Sequence, residues 1–217
     1  MNLEQIRFNM VEQQIRPWDV LDPEVIKLLF EVRREEFVPA PYCSLAFVDM
    51  EIPLGYGEVM LAPKMEARIL QELQVRNTDK ILEIGSGSGY LTSLLAKKGG
   101  HVYSVEIQPE LKIMAEQNLL AHNITNVTLD VSDAFQSYPK NGTYDVIVFT
   151  GSVPVLPEEF KKHLGVGGRL FVIEGEEPIM YASIITCVKE GVYSRIGLFE
   201  TCVGELRNVQ QKNQFFF

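Results

Sequence analysis

Apolar positions recur along the chain first at helical spacing and then in short runs of strand length. Leu3, Ile6, Met10 and Ile15 fall near one face of a helix over residues 2–15, with Glu4, Arg7 and Gln13 elsewhere, and Pro17-Trp18-Asp19 breaks it. Asp22-Pro23 supplies a cap followed by proline at the first helical position. Val25, Leu28, Leu29 and Val32 follow at i, i+3, i+4 and i+7, so a second helix is expected to end near Arg34. Trp18, a large aromatic between two amphipathic helices, is expected in the core. Prolines and glycines make residues 37–62 irregular or short-stranded before a helix opening at Pro63. Beyond it the pattern changes. Strands are predicted at 80–84, 101–106, 126–131 and 144–150, with helices from about Tyr90 and from Pro109 to about His122, the latter turning Leu111, Met114, Ala115 and Leu119 inward. The nearly unbroken apolar run from Tyr144 to Thr150 suits a parallel strand covered on both faces. A further helix starts at Pro157, a strand covers Leu170 to Ile173, and residues 181–189 and 192–202 alternate around Glu190-Gly191 as a hairpin. The pattern predicts a three-layer α/β fold: a mostly parallel sheet with antiparallel C-terminal edge strands and extra N-terminal helices. One domain is expected over 1–217, with 1–75 a helical cap segment and 76–217 the core.

The stretch Glu83-Ile84-Gly85-Ser86-Gly87-Ser88-Gly89-Tyr90 joins the first core strand to its helix. Glycines at alternate positions allow positive φ and bring the helix N-terminus close to a bound nucleotide. A dinucleotide fingerprint, G-x-G-x-x-G, would require glycine at 90, where the chain has Tyr90, so NAD is disfavoured. Glu83, a carboxylate just before the loop, suits a cationic ligand better than a pyrophosphate. The next strand ends in Glu106, about 20 residues after the first glycine, the distance that one βα unit requires of an acid on the ribose hydroxyls. E-x-G-x-G-x-G resembles motif I of the class I S-adenosylmethionine (SAM) methyltransferases, whose Rossmann-like fold matches the element pattern. The resemblance implies that Glu83 lies near the amino group of the cofactor's methionine moiety.

Charge and composition narrow the possible acceptors. The formal net charge is −9, with 20 Lys and Arg against 29 Asp and Glu, which argues against a nucleic acid, since phosphate binding requires a basic footprint. At 217 residues and 46% hydrophobic the chain can fill one α/β core. The N-terminus carries acid early and no apolar h-region, and no apolar stretch approaches spanning length, so a cytoplasmic protein without membrane contact is expected. Cys43, Cys187 and Cys202 are odd in number and widely spaced, as suits reduced thiols. His101, His122 and His163 show no ligand spacing, and no metal is expected.

The segment Arg34-Glu35-Glu36-Phe37-Val38-Pro39 and the loop Met60-Leu61-Ala62-Pro63-Lys64-Met65 resemble the protein-L-isoaspartate O-methyltransferase family, with its R-x-x-F-V-P segment and I-S-A-P-H-M loop. Ala62, Pro63 and Met65 match, but the family's serine at the methyl-transfer centre is Leu61 and its histidine is Lys64. Leu164-Gly165-Val166-Gly167-Gly168-Arg169-Leu170 is similar to an L-x-P-G-G-R-L corner of such methyltransferases. The resemblance implies a SAM site formed by Met60, Leu61, Glu83, Gly85, Ser86, Gly87, Ser88, Gly89, Tyr90, Glu106, Ile107, Asp133 and Ala134. In it Asp133 accepts from the adenine amino group, while Ala134 leaves room and donates its backbone N–H; a plain helix cap is the other reading of Asp133. Leu61 lies at the methyl-transfer position, and Thr150 and Ser152 are the candidates to orient the acceptor. The implied acceptor is a protein or peptide carboxylate, with a small organic molecule, or SAM binding without turnover, as the alternatives. A carboxylate is already ionised and needs no base, whereas a phenol or alcohol would call on Glu58, Asp49 or Lys64. A monomer or weak homodimer is expected, and the terminal Phe215-Phe216-Phe217 is a candidate docking tail.

Overall fold

The computed structural model describes residues 2–137, 140 and 142–211, so the Phe215-Phe217 tail lies outside the described residues. Helix α1 (Leu3–Met10) is capped by the Asn2 side chain and passes into a π-helical turn, Val11–Ile15. The wider turn explains the five-residue step in the sequence pattern: Met10 and Ile15 are both buried although α-helical spacing would separate them. Leu3, expected on the same face, is instead 46% exposed. Helix α2 (Pro23–Glu31) is capped by Asp22 Oδ1, which accepts from the Glu24 and Val25 amides at 2.8 and 3.4 Å. It stops before Arg34, where a 3₁₀ turn begins. Strands β1 (Ile52–Gly55) and β2 (Glu58–Met60) form a small antiparallel hairpin, and α3 (Pro63–Leu73) follows with proline at its first turn.

The core alternates β3 (Lys80–Ile84), α4 (Tyr90–Lys98), β4 (His101–Glu106), α5 (Pro109–Ala121), β5 (Val127–Val131), α6 (Ala134–Ser137), β6 (Tyr144–Val153), α7 (Glu158–Lys162) and β7 (Leu164–Glu176). The hairpin β8 (Ile179–Lys189) and β9 (Val192–Thr201) completes one seven-stranded sheet of order β5-β4-β3-β6-β7-β8-β9. Strands β3 to β7 are parallel, and β8 and β9 are antiparallel at the edge. Two buried clusters explain the three layers. Ile81, Val146, Val148 and Phe171 point to one side, which also holds Met10, Ile15 and Leu29. Leu82, Ile84, Ile147, Phe149 and Leu170 point to the other, against Leu156 and Phe160.

The order of the strands reverses about β3: β4 and β5 lie on one side, and β6 and β7 on the other. That switch point opens a crevice at the carboxyl ends of β3, β4 and β6. Three elements differ from expectation. The β7 strand is longer than Leu170–Ile173 because β8 pairs with it to Glu176. The helix expected from Pro157 is one turn, α7. The β6 strand runs on from its expected end at Thr150 to Val153, because after a register shift Ser152 and Val153 pair with Ile173 and Glu174. Trp18 is only half-buried: its ring meets Phe199 edge-on at 5.7 Å, and the Lys64 ammonium lies 4.2 Å from its centre. No helix among the described residues is long and apolar enough to cross a membrane.

Candidate active site

The pocket in the crevice is built from four pieces of chain: the glycine loop after β3, the end of β4, the 132–135 segment, and the β2 hairpin facing residues 204–207. The glycine loop is set by its neighbours within the protein. Gly85 has φ +95°, and a Cβ there would lie 2.3 Å from Thr150 Oγ1; Gly89 has φ +81°, and its Cβ would meet α5 at Ala115 at 3.1 Å. These glycines are needed for packing the loop between β6 and α5 as well as for access. Gly85, Ser86, Gly87, Ser88 and Tyr90 line the pocket, and Gly89 caps α4 immediately behind them.

Glu106 ends β4 buried beneath the loop mouth. Its Oε2 accepts from the Gly87 amide at 2.9 Å and the Ser86 hydroxyl at 3.4 Å, and its Oε1 accepts from the Gln108 amide at 3.1 Å. The βα spacing seen in the sequence therefore becomes a carboxylate clamped to the glycine loop on the pocket wall. Val105, Ile107 and Leu111 form the apolar wall beside it. Asp133 and Ala134 also line the pocket. Asp133 Oδ1 accepts from the Phe135 amide at 2.9 Å, which is the capping role, and Oδ2 accepts from Asn208 Nδ2 at 2.8 Å.

Three of the expected residues do not face a ligand freely. Glu83 is fully buried under the loop and does not line the pocket. Its Oε2 accepts from Thr92 and Ser104 hydroxyls at 2.5 and 2.6 Å, and its Oε1 has no partner among the described residues. Burial pushes its pKa up to about 8, the two hydroxyl bonds oppose that, and the charge of Glu106 adds to it. Thr150 lines the pocket, but its hydroxyl is directed to the Ile84 and Gly85 carbonyls at 2.8 and 2.9 Å, so it ties β6 to the loop. Ser152 is fully buried and outside the pocket. Its hydroxyl donates to the Val203 carbonyl at 3.2 Å and its backbone pairs with Gly204 and Leu206, so it anchors the C-terminal segment.

Met60 and Leu61 are buried and form the wall opposite the glycine loop. The Leu61 carbonyl accepts from Arg34 Nη2 at 2.7 Å. The sequence reading missed Glu66, Gly204, Glu205, Leu206 and Arg207, all in the lining, and gave Glu58 only as a candidate base. Glu58 is ion-paired with Arg207, which also donates to the Tyr56 carbonyl, so hairpin and C-terminal segment close over the pocket together. Glu66 is buried and ion-paired with Arg34. Asp49 pairs with Lys64 at 2.7 Å in a neighbouring cavity that also includes Trp18, Glu51 and Glu200. The lining contains no His, Cys or Lys among the described residues, and its carboxylates are all engaged: Glu205 accepts from Gln211 at 3.1 Å, and the other four are paired as given.

Comparison with known proteins bears on this geometry. The family described as protein-L-isoaspartate(D-aspartate) O-methyltransferase matches residues 6–189. A Methanoculleus marisnigri protein-L-isoaspartate O-methyltransferase is 36% identical over 197 residues, covering 90% of this chain and 89% of its own. That of Ignicoccus hospitalis is 34% identical over 190 residues, covering 85% and 90%. Among solved structures, a Plasmodium falciparum protein-L-isoaspartate O-methyltransferase, crystallised with S-adenosyl-L-homocysteine (SAH), superposes with a TM-score of 0.80 at 21% identity, over 95% of this chain and 99% of that one, and shows the same fold. The chain belongs to the protein-L-isoaspartate(D-aspartate) O-methyltransferase family.

Proposed function

We propose how this pocket carries out the activity that family membership gives the chain, SAM-dependent O-methylation of isoaspartyl carboxylates for protein repair. The observation that carries the reading is the lining itself: no histidine, cysteine or lysine among the described residues, carboxylates all engaged, and an apolar Met60–Leu61 wall. Such a site offers an alcohol or phenol no histidine or lysine as base among the described residues, and suits an acceptor that is already anionic.

The residues fit SAM. A buried carboxylate at the β4 end, held open by backbone and hydroxyl donors, is placed for a ribose diol, and the Ile107–Leu111 wall beside Asp133 and Ala134 suits an adenine. We assign cofactor contact to Met60, Leu61, Gly85, Ser86, Gly87, Ser88, Tyr90, Glu106, Ile107, Asp133 and Ala134. Glu83 and Gly89 support the loop from behind. When bound, SAM supplies an electrophilic methyl group on a cationic sulfonium. The chain's own part is alignment and exclusion of water. Met60 and Leu61 present an apolar face that disfavours water beside the acceptor carboxylate. The Glu58–Arg207 pair closes the mouth, and Thr150 and Ser152 fix the loop and the C-terminal segment that frame it.

The substrate partner is an isoaspartyl protein or peptide. A cytoplasmic monomer or weak homodimer meets the needs of this reading, because one chain supplies every residue used, and its three cysteines are free. Incubating the protein with SAM and either an isoaspartyl peptide or the same peptide with normal aspartate tests it. A methyl ester that is lost in mild base and appears only on the isoaspartyl peptide is expected. A base-stable product, or none while SAM binds, would contradict it.

A further inference from the structure

The Met60–Leu61 wall is held by little of its own. Strand β2 has three residues and among the described residues pairs only with β1, and a two-stranded hairpin is marginal in isolation. Leu61 offers no side-chain hydrogen bond, and the next residue, Ala62, begins α3 without a side-chain cap. Yet a buried guanidinium is dedicated to this junction. Arg34 is 1% exposed and spreads its three nitrogens over three segments: Nε to the Ala46 carbonyl at 3.0 Å, Nη2 to the Leu61 carbonyl at 2.7 Å, and Nη1 to Glu66 of α3. Its central carbon lies 5.2 Å from the ring centre of Tyr90, the first residue of the helix after the glycine loop. A second ion pair, Arg7–Glu35, lies alongside. Leu61, Glu66 and Tyr90 all line the pocket, whereas Arg34 stands behind them.

A buried ion pair is a poor device for stability alone, because desolvation offsets most of the attraction. What this one accomplishes is geometric: it fixes the acceptor-side wall to the cofactor-side helix. We propose that Arg34, oriented by Glu66, is the positioning residue of the methyl-transfer loop, and that its bond to the Leu61 carbonyl sets the wall against which the acceptor carboxylate aligns. The proposal rests on the function proposed above for the acceptor, but its structural half stands without it.

The test compares the wild type with R34K, R34M and the double variant R34M/E66L, whose apolar pair replaces the buried ions without leaving either charge unpartnered. R34M alone is expected to be destabilised. The double variant is expected to fold and still to bind SAH, weakened by up to about tenfold (about 1.4 kcal/mol), because Glu66 lines the pocket and the freed Leu61 is among the cofactor contacts. Amide hydrogen exchange across residues 58–62 of the SAH complex should quicken, and kcat on an isoaspartyl peptide at saturating SAM should fall, each by about tenfold or more, as expected for loss of a hydrogen bond from a charged donor. R34K keeps the charge opposite Glu66 but not the fork, and should fall between. Wild-type exchange at 58–62, or an unchanged kcat, in the folded double variant would overturn the proposal. If the wild type itself fails to methylate the peptide, the acceptor reading fails, and the exchange comparison still decides whether Arg34 holds the loop.

Discussion

Glu83 and Glu106 lie on consecutive, paired strands, β3 and β4, and are placed differently. Glu106 is kept at the pocket wall by donors on both oxygens, so its charge is available to a ligand. Replacing it with glutamine keeps the shape and, with the amide oxygen towards Gly87, that bond, but loses the bond from the Gln108 amide and removes the charge. SAH affinity measured by calorimetry should fall by about ten- to hundredfold, the range for hydrogen bonds to a charged group, with little change in unfolding midpoint; an unchanged affinity would remove Glu106 from the site. Glu83 has no such outlet. Its folded pKa of about 8 lies above the ordinary 4.5, so between those values the folded protein holds a proton that the unfolded chain has released. The stabilisation from this group is complete below the unfolded pKa, is lost as pH rises towards the folded value, and is level above it. The denaturant midpoint of the wild type should therefore decline between about pH 5 and pH 8 by more than that of Glu83→Gln, a neutral isostere able to accept from both hydroxyls. Parallel curves for the two proteins would show that Glu83 is ionised in the folded state. The sequence places Glu83 in the first core strand and Glu106 at the end of the next, as found; which one reaches the pocket wall depends on Ser104 and Thr92 reaching back to Glu83, and no spacing reveals that.

At the scale of elements, the parts read best from sequence are those whose signals are local. The βα units, the capped α2 and the final hairpin follow from periodicity, from Asp22-Pro23 and from Glu190-Gly191. Closure over the pocket was not legible, because it is made by segments about 150 residues apart: Glu58 on the hairpin and Arg207 beyond the last strand, 149 positions later. The sequence offers Ser152 as a candidate to orient the acceptor; its burial is not legible there for the same reason, since its strand partners and the Val203 carbonyl come from distant chain. The closure has a measurable consequence. With both side chains partly exposed, the Glu58–Arg207 pair is a modest latch. Arg207→Gln should speed SAH release in stopped-flow by about two- to fivefold, the range for partly exposed pairs, with the chain's stability little altered. No change in release would show that the hairpin and the C-terminal segment close without this pair.

For the whole molecule, the fold frames the candidate cofactor site through one topological fact, the reversal of strand order about β3; the alternating strand and helix pattern implies the parallel sheet but not this order. The N-terminal cap belongs to the same body: Met10, Ile15 and Leu29 share a buried cluster with Ile81, Val146 and Phe171 of the sheet. Acceptor specificity is different. The loop departs from the family's pattern at Leu61 and Lys64, where Arg34 donates to the Leu61 carbonyl and Lys64 is paired with Asp49 over Trp18. The central claim is that this loop still aligns an isoaspartyl carboxylate without a base. The most direct measurement is the ratio of kcat/KM for an isoaspartyl peptide to that for its normal aspartyl twin. Discrimination by placement of a charged group should give a ratio of about a hundred or more; a ratio near one, with SAM bound normally, would contradict the account and make the Leu61 loop the mark of a different acceptor.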